Sequence, residues 1–419
     1  MENNKDIKRR DFFGAAGLAV IGARLARGSQ ANSAVRVGLL GCGGRGTADA
    51  TSMMTNAGAR VTALADLFDD QLERARQHFD ELVAQQGVAG IDAGQIFRGP
   101  HAFEEIARSR EVDAVVIATP PYFHPQHLEA AIAAGKHVYC EKPVAVDVPG
   151  TRRVLEAGKK AEGRVSLEVG FQIRQAPPFV ELVKRIHAGA LGEIGFGVAY
   201  YYCKFMDASH PDVPPAQWRL RNWLFDRVLS GDIVVEQNIH AIDICNWVLD
   251  AHPVKAVGTG GRKGRSEQGN VYSHCALSFW YPNDVHVSFA SKQFGSGGFD
   301  VNERFFGTRG ESQSPYSGPL GITGEENWTW AGSEEKHGGQ FSAAGTFADN
   351  LAEADAEKHR SFIGSITSGA LHNQAAAGVE SSLSAMLGRA AMYAGREVAW
   401  DELVRSDETW DAGLDLEKL

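Results

Sequence analysis

The chain has 419 residues, of which 43% are hydrophobic and 22% are charged, a mixture typical of globular proteins. This length exceeds one ordinary hydrophobic core, so we expect two domains. Its 42 basic and 52 acidic residues give a net charge of −10, which disfavours nucleic acid or an anionic membrane surface as a general partner.

Residues 1–33 are predicted to be a leader rather than part of the fold. The sequence KRRDFF at residues 8–13 is a twin-arginine pattern, and the apolar run after it is too short to remain as a membrane anchor. Twin-arginine export carries folded proteins, which suits an enzyme that loads a cofactor before it leaves the cytoplasm. We therefore predict a bacterial periplasmic protein that uses the twin-arginine export machinery and keeps no stable membrane span after the leader. A basic tail without a targeting role is the alternative.

The cysteines are five in number and show no C-x-x-C spacing, so a zinc site is not expected. Two of them, Cys42 and Cys140, lie inside the motifs described next. We predict buried free thiols rather than disulfides.

A glycine-rich turn follows the first predicted strand, which covers residues 34–40. The turn fits the pattern G-x-G-x-x-G with Gly41, Cys42, Gly43, Gly44, Arg45 and Gly46. Such glycines permit a tight turn, close approach of backbone amides to a pyrophosphate, and close packing of the helix that follows. We predict that these six residues bind a dinucleotide, with a generic glycine loop as the alternative.

A second strand over residues 61–66 ends in Asp66, twenty positions after Gly46. An acid at this place is expected to accept hydrogen bonds from the adenosine ribose hydroxyls. Its negative charge would repel a 2′-phosphate. NAD is therefore the predicted cofactor, and NADP is the less favoured alternative.

Two further strands, over residues 112–118 and 136–140, continue the alternation with helices. The first ends at Thr119 and Pro120 and leads to a helix that contains His124. This alternation predicts an α/β fold that begins with a Rossmann domain, a doubly wound parallel sheet, over residues 34–155.

Lys142 lies in the sequence Glu141-Lys142-Pro143, directly after the strand 136–140. It shares the carboxyl edge of the predicted sheet with Gly41, Asp66 and Thr119, and ligands bind at such an edge. A lysine there can contact both a substrate and a nicotinamide ring. The alternative is an ordinary turn, which is what a charged residue before a proline forms in most proteins.

These motifs resemble the Gfo/Idh/MocA oxidoreductases, the family of glucose–fructose oxidoreductase and inositol dehydrogenase. The resemblance rests on the glycine loop, on Ala118-Thr119-Pro120 with His124, and above all on residues 135–143. It extends over nearly all of the chain after the leader. We place Thr119, Pro120, His124, Glu141 and Lys142 among the cofactor-binding residues, and expect Glu141 to brace the strand end.

The second half, residues 156–419, is predicted to be an α+β domain. Residues 207–220 are predicted to form a proline-rich loop, and the overlapping segment 218–223 is aromatic and basic, with Trp218, Arg219 and Trp223. Exposed tryptophan beside arginine suits stacking on a sugar face and hydrogen bonds to its hydroxyls. A lid that packs its tryptophans inward is an equal alternative.

A helix predicted over residues 234–243 would place Glu236, His240 and Asp243 on one face, at i, i+4 and i+7. Two carboxylates beside a histidine indicate a tuned acid–base group. A satisfied core histidine and a carboxylate–histidine metal site are the alternatives.

The resemblance favours the acid–base reading, because the family typically carries an aspartate four residues before a histidine that works with the motif lysine. This chain keeps His240 and has Glu236 in place of the aspartate. We predict that Lys142, His240 and Glu236 are catalytic, that these three and Asp243 also contact substrate, and that no metal is bound.

Period-two patterns after Pro253 predict a large, open, mostly antiparallel sheet. In the family such a sheet pairs with the sheet of a partner subunit, which implies a homodimer or homotetramer. The tail from Trp400 is amphipathic and is expected to fold back on the body.

The resemblance implies an NAD-dependent oxidoreductase that transfers a hydride between a sugar or polyol hydroxyl and nicotinamide. His240 would take the hydroxyl proton while Lys142 hydrogen-bonds the developing alkoxide. Related members use tightly held NAD to oxidise a sugar transiently and cleave a glycosidic bond by elimination, which is the second hypothesis. The third is a saccharide-binding protein without catalysis, which the presence of both Lys142 and His240 disfavours.

Overall fold

The computed structural model describes residues 34–84, 89–204, 206–208, 210–264, 268–331, 341–342, 345–346 and 349–419. The predicted leader over residues 1–33 lies outside this part of the chain. Among the described residues, no helix combines the length and the apolar character needed to cross a bilayer.

The first half forms a six-stranded parallel sheet with the strand order β3-β2-β1-β4-β5-β6. Its strands are β1 (Arg36–Leu40), β2 (Arg60–Asp66), β3 (Ile96–Arg98), β4 (Ala114–Ile117), β5 (His137–Cys140) and β6 (Leu167–Val169). The strand order reverses between β1 and β4, which is where a doubly wound sheet opens a crevice for ligands. The predicted doubly wound parallel sheet is confirmed.

Helices cover both faces of this sheet, as α1 (Gly44–Ala57), α2 (Asp69–Ala84), α3 (Ala102–Arg108), α4 (His124–Ala133) and α5 (Val148–Ala161). The side chain of Asp147 caps α5 by accepting a hydrogen bond of 2.7 Å from Gly150 N. Because α5 returns the chain to the sheet as β6, the parallel sheet extends past residue 155, where the first domain was predicted to end.

The second half is built on a nine-stranded sheet within the described residues, in the order β14-β13-β12-β11-β7-β10-β9-β8-β17. Its strands are β7 (Ile194–Cys203), β8 (Lys255–Gly261), β9 (His274–Trp280), β10 (His286–Gln293), β11 (Asp300–Gly307), β12 (Gly310–Gln313), β13 (Gly321–Gly324), β14 (Trp328–Thr329) and β17 (Val398–Ala399), and a separate pair is formed by β15 (Phe341–Ser342) and β16 (Gly345–Thr346). Only the pairing of β7 with β10 is parallel among these ladders. The predicted large, mostly antiparallel sheet is therefore confirmed.

The helices of this half are α6 (Pro177–His187), α7 (Pro215–Arg221), α8 (Arg227–Ser230), α9 (Ile233–Glu236), α10 (Ile239–Leu249), α11 (Ala354–Ser368), α12 (Ala375–Ala394) and α13 (Trp400–Val404). Two expectations were wrong. The predicted loop over residues 207–220 contains most of α7. The predicted single helix over residues 234–243 is two helices, because Asn238 N bonds the Ile233 carbonyl five residues back and interrupts the regular ladder.

Helix α12 joins the two sheets. A Cβ at Gly378 would lie 2.9 Å from a methyl carbon of Val169, and a Cβ at Gly388 would lie 2.8 Å from the ring of Phe279. These glycines thus let one helix press against the parallel sheet near one end and against the antiparallel sheet near the other. The core is continuous between the two halves as a result. Helix α11 also returns to the first sheet, where Phe362 packs in the same core as Val37.

All five cysteines are buried and free, which confirms the prediction of unpaired thiols.

Candidate functional site

A cavity of about 240 Å³ lies where the carboxyl edge of the parallel sheet meets the second half of the chain. From the sheet edge its wall includes Arg45, Thr119, His124, Glu141 and Lys142. From the second half its wall includes Trp223, Glu236 and His240. Residues predicted from separate motifs therefore meet in one place.

Lys142 binds Glu236 in this cavity wall. Its Nζ donates to the backbone carbonyl of Glu236 over 2.7 Å and to the carboxylate Oε1 over 3.0 Å. The two side chains are only 12% and 14% exposed. The interruption between α9 and α10 makes this possible, since the Glu236 carbonyl accepts from Lys142 rather than from the next turn of a continuous helix.

His240 lines the cavity near the start of α10. Its Nδ1 is buried, and no residue in the described part of the chain bonds to it. Burial, and after it the positive charge of Lys142, lowers the pKa of His240 well below its ordinary value. The imidazole is therefore neutral near pH 7 and able to accept a proton.

Asp243 does not reach the cavity, contrary to the prediction that it contacts substrate. It is 1% exposed, and its carboxylate accepts hydrogen bonds of 2.9 Å from Nε and Nη2 of Arg174 and one of 2.5 Å from Ser381 Oγ. Although Asp243 lies in α10 with His240, its carboxylate is engaged by Arg174 and Ser381. It is a buried structural carboxylate.

Only part of the aromatic and basic segment 218–223 lies at the cavity. Trp223 lines the cavity, whereas Trp218 and Arg219 do not. Arg219 instead donates to Asp226 Oδ2 over 2.6 Å and to the Ala412 carbonyl over 2.7 Å. Within this segment the prediction of substrate contacts is thus left with Trp223. Arg219 fastens helix α7, which we call the lid helix, to the C-terminal tail.

The glycine loop fits a dinucleotide. Gly41 has a φ of +95°, which favours glycine, and a Cβ at Gly46 would lie 2.2 Å from the Gly41 carbonyl oxygen. A Cβ at Gly43 would meet nothing within 4 Å, so it would project into open space that a pyrophosphate could otherwise occupy. The loop precedes α1 directly, and the N-terminus of a helix attracts phosphate.

Asp66 supports the same loop at the end of β2. Its Oδ2 accepts a hydrogen bond of 2.7 Å from Cys42 N, and its Oδ1 accepts one of 2.9 Å from Phe68 N. Each oxygen keeps a further lone pair for a ribose hydroxyl. Burial raises the pKa of this carboxyl, and the two backbone amides oppose that rise. The Cys42 side chain is buried and its amide is engaged by Asp66, so Cys42 supports the loop from within the protein.

His124 holds the edges of two strands together. One ring nitrogen lies 2.7 Å from the Thr119 carbonyl and the other 2.8 Å from the Pro143 carbonyl. The residue that follows β4 and the motif that follows β5 are therefore fixed relative to each other. Pro120 is absent from the cavity wall, which Thr119 and Pro121 form instead.

Part of the wall was missed from the sequence: Gln172, Tyr201, Met206, Leu224, Gln237, Phe299 and Tyr316. Three of these form an aromatic wall, with ring centroids 5.7 Å apart for Tyr201–Phe299 and 6.2 Å apart for Tyr201–Tyr316. The run of tyrosines at the end of β7 is the sequence signal that could have indicated this aromatic wall. Among the described residues, no group of three or more His, Cys, Asp or Glu is placed to hold a metal ion.

Two family models match the chain. One, described as the oxidoreductase family with an NAD-binding Rossmann fold, covers residues 35–169. The other, described as the GFO/IDH/MocA C-terminal domain, covers residues 179–313. The two matches include the glycine loop, Lys142, Glu236 and His240.

Individual proteins agree with these matches. Inositol 2-dehydrogenase of Rhizobium meliloti is 26% identical over 339 residues, which is 80% of this chain and 90% of that protein. A glycosyl hydrolase family 109 protein of Solibacter usitatus is 29% identical over 208 residues, 46% of this chain and 45% of that protein. The solved scyllo-inositol dehydrogenase of Lactobacillus casei, with bound NAD(H) and scyllo-inositol, has a TM-score of 0.66 at 18% identity, over 88% of this chain and 100% of that chain. This last likeness shows the fold.

The neutral state of His240 can be tested by NMR titration of the histidine ring signals, with His240→Asn to identify its resonance. We expect a pKa below the ordinary value of about 6.5, because burial and Lys142 both disfavour the imidazolium. Lys142→Met should raise it, since a neighbouring positive charge is removed. A pKa at or above 6.5 in the unaltered protein would contradict this account.

Proposed function

Because the chain belongs to the Gfo/Idh/MocA oxidoreductase family, we propose that it oxidises a CH–OH group of a polyol or sugar. It is an oxidoreductase whose first domain is an NAD-binding Rossmann fold. The observation that carries the proposal is the contact of Lys142 with Glu236, beside a neutral His240, in one cavity at the sheet edge. The polyol specificity is supported by the inositol 2-dehydrogenase relative.

The glycine loop and Asp66 would hold NAD, which when bound supplies the acceptor for the hydride. Lys142 has three N–H donors, of which the described contacts with Glu236 use two. The third is left for the substrate oxygen, where it stabilises the negative charge that develops as the hydroxyl loses its proton.

His240 accepts that proton. Its Nδ1 is enclosed by protein, so we assign the acceptor role to Nε2. Because burial lowers the pKa of His240, the imidazolium that forms is disfavoured. His240 would therefore hold the proton only briefly. Glu236 orients Lys142 and compensates its charge within the cavity wall.

NAD is favoured over NADP by the partners of two residues. Asp66 places a carboxylate at the ribose end of the site. Arg45, the basic residue of the glycine loop, is engaged by Glu141 and Asp355, so it is not a free partner for a 2′-phosphate. An acid without an available arginine selects the unphosphorylated ribose.

Glycoside cleavage with a recycled cofactor is the second candidate, favoured by the way the lid and the tail cover the segment after Asp66. Arg221 of the lid helix α7 bonds Asp70 over 2.7 Å and lies 3.9 Å from the ring centroid of Phe68. The leucines of the tail pack in the same apolar cluster as Leu67 and Phe68. A cofactor enclosed in this way would exchange slowly and could be reoxidised in place, as redox-neutral cleavage requires.

The tail is anchored by Trp410, whose ring centroid lies 3.9 Å from the guanidinium of Arg389. Its amide donates to Asp147 Oδ2 over 2.8 Å. The tail is thus fixed to the body before it reaches the nucleotide edge. The glycosyl hydrolase family 109 relative is further support for this candidate.

The compartment and the assembly are also proposals. The twin-arginine pattern at residues 8–13 supports export to the periplasm by the twin-arginine machinery. The open face of the second sheet supports a homo-oligomer, because Phe196 is 48% exposed there and stacks on Phe306 at 4.6 Å. Tyr200 and Tyr202 stack on the same face at 4.7 Å.

Lys142→Met should lower turnover of inositols or aldoses by about 100-fold or more, the usual contribution of a positioned acid–base group. NADH absorbance measures the turnover. NAD affinity should change by less than about threefold, since the loop and Asp66 remain intact. Lys160→Met, at an exposed lysine of α5, is the matched control. Unchanged turnover in the Lys142 variant would exclude the proposed role.

Protein isolated from the periplasmic fraction should contain NAD. Arg221→Met, or a chain that ends at residue 413, should release NAD about tenfold faster, because each loses contacts that cover the nucleotide edge. Arg405→Met, at an exposed tail residue, is the control. Recovery of the protein only in the cytoplasm would contradict export, whereas isolation without NAD would contradict retention. Cleavage of an aryl glycoside without net NADH would favour the second candidate.

Light scattering after size exclusion should show a dimer or tetramer. Phe196→Asp should shift the mass towards the monomer, because a charge would be placed on an apolar contact face. Val180→Asp, at an apolar residue of α6 that is 40% exposed, should leave the mass unchanged. A monomer in the unaltered protein would refute the proposed assembly.

A further inference from the structure

Five buried or nearly buried charged side chains lie in or directly behind the cavity wall, between the glycine loop and helix α11. They are two cations and three carboxylates: Arg45, Lys358, Asp49, Glu141 and Asp355. We call this set the rear charge cluster. Lys358 is 0% exposed, and its Nζ lies 2.9 Å from Asp355, 3.5 Å from Asp49 and 3.7 Å from Glu141.

Arg45 links α11 to the glycine loop. Its Nη1 and Nη2 donate to the two oxygens of Asp355 over 3.2 Å and 3.1 Å. Its Nε donates to Glu141 Oε1 over 3.0 Å. A planar guanidinium held by two carboxylates has little freedom, so the loop position of Arg45 depends on a helix more than three hundred residues later in the chain.

Glu141 connects Arg45 to the backbone of Lys142, the next residue in the chain. Its Oε2 accepts a hydrogen bond of 3.2 Å from Lys142 N, while its Oε1 accepts one of 3.0 Å from Tyr139 OH. Arg45 and Glu141 line the cavity, whereas Lys358 and Asp355 do not. The rear charge cluster therefore contacts the cavity through Arg45 and Glu141.

We propose that Lys358 and Asp355 are positioning residues, which fix the Arg45 guanidinium and the Glu141 carboxylate and thereby the place of Lys142 in the cavity. The proposal rests on the proposed role of Lys142 at the substrate oxygen. A carboxylate as buried as Glu141 persists only when it is paired. Lys358 is the second cation that this pairing requires, because Arg45 alone faces three carboxylates.

The charges of the cluster act on one another and on His240. Burial alone would raise the pKa of Glu141, but Arg45 and Lys358 outweigh it and hold that pKa below its ordinary value. Several elements place titratable or charged groups around Glu141: Arg45 and Asp49 of α1, Lys358 and Asp355 of α11, His124 of α4, His240 of α10, and Tyr139, Cys140 and Lys142 of its own segment. The charge of Lys358 also contributes to the lowered pKa of His240, after burial, Lys142 and Arg45.

The test is a double-mutant cycle of Lys358→Met and Asp355→Asn. The first variant leaves one cation against three carboxylates and the second leaves two cations against two. The double variant restores the original excess of one negative charge. Residues that act on one network give non-additive effects in such a cycle, whereas independent structural defects add.

Lys358→Met should raise the pKa of His240 in the NMR titration, and Asp355→Asn should lower it or leave it in place, because the changes in charge are opposite. Removing the lysine charge should also weaken NAD binding about fivefold, since the site becomes more negative towards the pyrophosphate. The kcat should fall about tenfold to 100-fold through misplacement of Lys142, with a smaller change in the KM for substrate. The double variant should recover most of each loss.

Additive losses of stability, with His240 pKa, NAD affinity and kcat unchanged in the folded single variants, would overturn the proposal. If Lys358→Met does not fold, Asp355→Asn and Asp355→Glu keep it testable. The conservative Glu variant should retain the kcat that the Asn variant loses, and equal kcat in the two would overturn it. The His240 titration and the NAD titration need no substrate, so they also decide the matter if no polyol is oxidised.

Discussion

The contact of Lys142 with Glu236 is the interaction on which the candidate site depends. Lys142 stands at the end of a strand in the parallel sheet, and Glu236 ends a short helix of the second half. Neither half alone contains the site, so the cavity exists only when both are folded against each other. An ion pair as buried as this one adds little net stability, because desolvation offsets the attraction. Its contribution is to fix where the ammonium lies.

This geometry requires an irregular backbone. In a continuous helix the Glu236 carbonyl would face the amide of His240 and would be unavailable to a side chain. The Asn238 amide bonds Ile233 instead, and the Glu236 carbonyl accepts from Lys142. His240 and Asp243 both lie in α10 after the break, but His240 lines the cavity whereas Asp243 is buried against Arg174. The irregularity thus frees the carbonyl that holds Lys142, whereas the contact with Arg174 keeps the Asp243 carboxylate out of the cavity.

The sequence was sufficient for the first sheet and its edge, because their signals are local. Buried strands, the glycine loop and the lysine motif each occupy consecutive residues, and the parallel topology brings them together without further information. The burial of Asp243 against Arg174 could not be predicted from local signals. Arg174 lies 69 residues earlier in the chain, and no spacing rule relates the two residues. The cavity aromatics were missed for a related reason, as strand alternation does not say which face is inward.

The buried position of Lys358 is one feature that the sequence of α11 could have indicated. Asp355, Lys358 and His359 continue the stripe of Phe362 and Ile363 along α11, so charged side chains occupy a face that should be apolar. Such a conflict between pattern and residue type marks either a surface helix or a buried polar network.

The buried positive charges near the cavity serve two purposes that constrain each other. Lys142, Arg45 and Lys358 all disfavour protonation of His240, which keeps a proton acceptor available. Uncompensated, the same cations could not be buried, because ions lose far more hydration than an apolar interior returns. The carboxylates supply that compensation, and two of them, Asp49 and Asp355, are brought from opposite halves of the chain. A site of this kind cannot be tuned by its cavity residues alone. Any change to the helices behind it alters the same charge balance on which the acid–base chemistry depends.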